Sequence, residues 1–190
     1  MSYWLFKTYS GTYRLHERLS ECPEDLETWR VRRLIYREQI KPGDKGFVWF
    51  QDQRNAQNSG LRAVVEVLDP RAILPELQRR PALMPLLADV EFQHDAIAIM
   101  PVLPWELQYS TTHTDDPMQR EPKVLLKFAK RLSLISRARI EDDIPEVRHM
   151  EAIGAIYRDD VTVELPEAQG LAFDGLVQRL LPFCEMPPVD

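Results

Sequence analysis

The residues best suited to chemistry in this sequence are two indoles and one amide: Trp29, Trp49 and Gln51. An indole face is flat and polarisable, and a base stacked on it gains about 1–3 kcal/mol. Two such faces at an angle would sandwich a methylated base and reward the extra methyl through dispersion and apolar contact. Gln51 offers both a donor and an acceptor to a Watson–Crick edge. Ser59 and Gly60 would let the backbone approach a ligand closely. Side chains alternate along a strand, so Trp49 shares a face with Phe47 and Gln51, while Val48 and Phe50 point the other way. That alternation favours a site. The competing reading makes Trp49 plain core, packed among Phe47, Val48 and Phe50 as buried aromatics often are. Trp4 and Trp105 read as structural.

Five basic residues, Arg30, Arg32, Arg33, Arg37 and Lys41, stand beside this set in sequence. Arg grips phosphate with a bidentate fork, and Arg33 is read as such a clamp. The others read as a solvated face with weak ion pairs to Glu38 and Asp44. Catalysis has little support. The histidines (His16, His94, His113, His149) are scattered without metal-ligand spacing. His113 with Asp115 and Asp116 comes nearest to a metal cluster, and reads as solvated loop. No nucleophile elbow, phosphate-binding Gly-rich loop or dinucleotide fingerprint is present. The expectation is therefore a non-enzymatic chain needing no cofactor and no metal.

The 190 residues, 44% hydrophobic and 28% charged, suit one compact domain with a sizeable core. No run approaches the roughly 20 apolar residues that span a bilayer, and the opening Met1–Lys7 segment lacks the pattern of a secretion signal. Cys22 and Cys184 read as free thiols in a reducing cytoplasm. A net charge of −6 argues against coating nucleic acid through bulk charge. It leaves room for a local basic face around a single base.

These residues need elements to hold them. Tyr3-Trp4-Leu5-Phe6 predicts a strand buried on both faces. Leu15, Leu19 and Leu26 follow a loose helical spacing, with Pro23 as a breaker. The segment from Trp29 predicts a strand or a short helix. Ile40-Lys41-Pro42-Gly43-Asp44 predicts a turn. Gly46–Phe50 and Gly60–Leu68 predict two strands, and the polar stretch Gln51–Ser59 predicts the loop of a long hairpin, where binding function tends to sit. Three prolines (Pro75, Pro81, Pro85) limit any helix in 73–87, while Leu87–Phe92 predicts a further strand. Lys123–Ile135, apolar at Val124, Leu125, Phe128, Leu132 and Ile135, predicts an amphipathic helix. Glu141–Met150 reads as exposed, and Ala172–Leu181 as a closing helix with Asp174 near its start.

Three pieces in order resemble the EVE domain family: Tyr3-Trp4-Leu5-Phe6-Lys7; Trp29-Arg30-Val31 followed by Ile40–Asp44 and Phe47-Val48-Trp49; and Ser59–Val67, a glycine-led strand ending in a Glu-Val pair. They cover the first third of the chain. The resemblance implies an α+β, PUA-like mixed β-barrel of five to six strands with flanking helices, related to YTH domains. It implies one domain over residues 1–190, with 101–190 an elaboration of it. It further implies a pocket that receives a flipped base of DNA or RNA, with a modified base as the expected ligand. With the motif residues Lys7 and Val31 added, the expected ligand set is Trp29, Val31, Arg33, Trp49, Gln51, Ser59, Gly60 and Lys7. Arg32-Arg33-Leu34 and Phe50-Gln51-Asp52 depart from the family's commoner pattern and leave the ligand's identity open. A nucleoside-binding protein and a protein-interaction module are the competing functions.

Overall fold

The computed structural model describes residues 1–10, 15–21, 26–31, 39–69, 72, 79, 123–150, 153 and 161–187. Strand β1 (Tyr3–Tyr9) is followed by helix α1 (Leu15–Glu21), then β2 (Leu26–Arg30), β3 (Lys45–Gln51) and β4 (Gly60–Leu68). The long β5 (Lys123–Ser136) leads directly into α2 (Arg137–Asp143). Strand β6 (Val161–Leu165) and helix α3 (Glu167–Cys184) complete the set among the described residues. The expected strands at 87–92 and the segments around Trp105 and His113 lie outside the described residues.

The six strands form one mixed sheet in the order β2-β5-β4-β3-β1-β6, parallel between β1 and β3 and antiparallel elsewhere. The α+β class and flanking helices are as expected. Among the described residues no pairing joins β2 to β6, so the sheet is open rather than a closed barrel. All seven residues of β1 are buried, because helices cover both faces. On one face Leu5, Phe47, Trp49, Leu61 and Ile135 pack under Phe173, Leu176 and Val177 of α3 and Ile140 of α2. On the other, Trp4, Phe6, Val48, Val65 and Leu126 pack with Leu15 and Leu19 of α1.

The predicted turn forms as its residues require. The Asp44 N–H donates to the Lys41 carbonyl at 3.0 Å, and Gly43 takes a φ of 87°. Pro at the first corner and Gly at the second fit that geometry. Asp44 is not a surface partner for arginines: it is buried and accepts from Ser2 N, Lys41 N and Trp4 Nε1 at 2.7, 3.0 and 2.9 Å. Trp4 is thus structural, as expected.

One prediction reverses. Lys123–Ser136 is a strand, not an amphipathic helix. Val124, Leu126 and Phe128 alternate with exposed Lys127 and Ala129, a period of two. Irregularities in the β4–β5 register then turn Leu132 and Ile135 to the opposite face. Alternation interrupted in this way imitates helical spacing. The 141–150 segment is mostly exposed, yet Ile144 and Val147 are anchored in the core. Helix α3 runs longer than predicted, and Asp174 lies in its interior, bonded to the Lys45 ammonium at 2.5 Å.

Candidate functional site

Parallel pairing aligns the outgoing ends of β1 and β3, with Lys7 opposite Trp49 and Tyr9 opposite Gln51. Alternation sends all four side chains to the face covered by α2 and α3. The Trp49 indole Nε1–H donates to Gln51 Oε1 at 3.4 Å, and Gln51 Nε2 donates to Ser59 Oγ at 2.9 Å. Ser59 Oγ also accepts from the Asp52 N–H at 3.0 Å, which pinches the neck of the β3–β4 loop. From the other side, the Arg137 N–H donates to the Ser59 carbonyl at 2.8 Å. Four of the expected residues (Lys7, Trp49, Gln51 and Ser59) therefore come together, joined by Tyr9 and Arg137.

Two cations, Lys7 and Arg137, and two carboxylates, Glu141 and Asp52, belong to this cluster. Lys7 has no exposed surface, and its Nζ stands 5.2 Å from the centroid of the Tyr9 ring. Burial, with the Arg137 charge adding to it, brings the Lys7 pKa down from 10.5 to about 8. The Arg137 guanidinium is steered by Glu141, Nε to Oε1 at 2.5 Å, and Glu141 also faces Arg148 at 3.7 Å. Gln51, Asp52 and Arg137 are half-buried, whereas Lys7, Tyr9, Trp49 and Ser59 are buried. The Asp52 carboxyl lies below its ordinary range. The Arg54 N–H is the main cause, helped by the Asn58 amide and the Asn55 N–H.

The rest of the expected set goes elsewhere. Trp29 and Val31 belong to the core on the opposite face, where the Trp29 ring meets Phe6 edge-on at 5.7 Å. Strands β5 and β4 stand between β2 and β3, so the two indoles cannot wall one cleft. Trp29 is 5% exposed and Trp49 0%, and neither offers a ring face to solvent. Gly60 serves the fold: a Cβ there would lie 2.0 Å from the Ile135 carbonyl oxygen, so glycine permits the close approach of β4 to β5. Ser59, through Oγ and carbonyl, ties loop, β3 and α2 together. Arg33 lies outside the described residues, as do Arg32, Arg37 and Cys22.

Tyr9 and Arg137 are not among the residues that the sequence singles out. Tyr9 is discoverable, standing two residues after Lys7 on the same strand face. Arg137 is not, because its neighbour Ser59 is far away in sequence. Among the described residues no group of His, Cys, Asp and Glu gathers to hold a metal ion. No described helix is long and apolar enough to cross a membrane.

No family model matches the chain, and no curated protein matches it. Among solved structures it is similar to a hypothetical protein from Leishmania major, at 12% identity and TM-score 0.52, over 95% of this chain and 97% of that one. The DUF55 domain of human thymocyte nuclear protein 1 is similar at 16% identity and TM-score 0.45, over 94% and 98%. An ASCH protein from Zymomonas mobilis is similar at 8% identity and TM-score 0.42, over 92% and 95%. The first likeness is one of fold alone, and the two looser ones add nothing to it.

Proposed function

We propose that this chain is a non-catalytic, PUA-like module of the EVE type that binds nucleic acid by holding one nucleobase, a modified one, at the Lys7–Gln51 cluster. The observation that carries the reading is the convergence of Lys7, Trp49, Gln51 and Ser59 with Tyr9 and Arg137 at one end of the sheet. The buried Lys7 ammonium and the partly exposed Arg137 guanidinium, steered by Glu141, suit the carbonyls and ring nitrogens of a base, or its phosphate, and low dielectric around Lys7 strengthens such a contact. Gln51 Oε1, bonded once to Trp49, keeps a second lone pair for a base edge. Trp49 acts in this reading as a packed floor that orients Gln51, not as a stacking lid. The partner is DNA or RNA, and Cys184, a buried free thiol, fits a cytoplasmic setting.

Net charge favours a second reading, a free nucleoside in the same cluster, since an acidic chain attracts long polyanions weakly. Fluorescence anisotropy separates the two. Labelled oligonucleotides with and without methylated bases are titrated against wild type and Gln51→Ala. The expected result is salt-dependent binding that Gln51→Ala weakens about tenfold, the cost of one lost hydrogen bond in a dry site. Binding of the free nucleoside alone, insensitive to salt, would select the second reading. Equal affinity of both proteins for every oligonucleotide would remove the first.

A further inference from the structure

The loop from Asp52 to Ser59 is held from within. Asp52 Oδ1 accepts from the N–H groups of Arg54 and Asn55 at 2.8 and 3.3 Å, and Oδ2 accepts from Asn58 Nδ2 at 3.1 Å. Asn55 Oδ1 accepts from the Gln57 N–H at 3.0 Å, and the Asn55 carbonyl from the Asn58 N–H at 2.9 Å. The inward polar groups are thus spent on the loop's own shape. Gln53, Arg54 and Gln57 are exposed, and their side chains enter no hydrogen bond with the described residues. The loop's neck is Gln51 and Ser59, both members of the base site.

We infer that this loop reads the nucleotide flanking the held base in single-stranded nucleic acid, Gln53 and Gln57 meeting its base edge and Arg54 the intervening phosphate. The inference rests on the base-binding reading above. An amide carries donors and acceptors together, so its pairing with a base edge depends on which base is there. A single strand leaves those edges free, whereas a duplex uses them. The acidic chain lends little sequence-independent attraction, which leaves directional contacts to set the preference. A loop already fixed by Asp52 loses little freedom on contact.

The test uses the intact chain and labelled single strands that share one central base while the flanking nucleotides vary. Wild type is compared with Gln53→Ala/Gln57→Ala, exposed changes that leave the melting temperature as a check on folding. The expected result is a flanking-base preference of roughly fivefold or more in wild type, flattened in the double variant. An unchanged preference in the variant, or no preference in wild type while Gln51→Ala still weakens binding, overturns the inference and spares the base site. Failure of wild type to bind any strand overturns both.

Discussion

Replacing Lys7 with Met keeps the length of the side chain and removes its charge, which isolates the cost of holding an ammonium in the core. The drop from 10.5 to about 8, at about 1.36 kcal/mol per pH unit, corresponds to roughly 3 kcal/mol. Lys7 is charged in both folded and unfolded chains below pH 8, so the penalty is fully present there. Between pH 8 and 10.5 the folded chain releases its proton first. The unfolded chain then binds more protons, and stability rises with pH. Above 10.5 the penalty is gone. Urea denaturation of wild type and Lys7→Met at intervals from pH 7 to 10.5 reads this directly, because titrations shared by the two proteins cancel in the difference. Wild type should gain up to about 3 kcal/mol on the variant across that window. A difference that stays flat would mean that the Lys7 ammonium is solvated, and the buried cation assigned to the cluster would fall with it.

Gly60→Ala should destabilise the chain by about 2–3 kcal/mol, since the added methyl meets the Ile135 carbonyl and backbone must shift; thermal unfolding measures it. Asp44→Asn should cost about 1.5–3 kcal/mol, because the amide cannot accept from all three of Ser2, Lys41 and Trp4 as the carboxylate does; a melting temperature within a degree or so of wild type would contradict this. Trp29→Phe and Trp49→Phe should be additive to within about 0.5 kcal/mol in a double-mutant cycle, as expected for residues in separate cores. A larger coupling would show that the two rings share a neighbourhood after all.

Sequence patterns reported the local elements well and the long-range ones poorly. Strand β1, the Lys41–Asp44 turn, the β3–β4 hairpin and helix α3 each follow from residues next to one another in the chain. Alternation placed Trp49 and Gln51 on one face, which the structure confirms, and half of the expected site depends on that. The pairing of Trp29 with Trp49 failed because strand order, not alternation, decides which core a residue enters. Two strands separate them. Strand β5 failed because irregular pairing exchanges its buried face part-way, a feature written in its partner β4 as much as in its own residues. Arg137 reaches Ser59 only through that same pairing, so nothing local announced it.

Strand β1 lies between β3 and β6, and Tyr3, near its start, faces both Leu165 and Gly170. During synthesis this segment leaves the ribosome before any other described strand, yet one of its flanks stays open until residues 161–165 have been made. A nascent chain therefore carries an apolar ribbon with a bare hydrogen-bonding edge until β6 emerges, a state prone to mispairing and aggregation. A chain cut short before Val161 would keep that edge permanently, and should be recovered in inclusion bodies even though every residue of the proposed base site is still present.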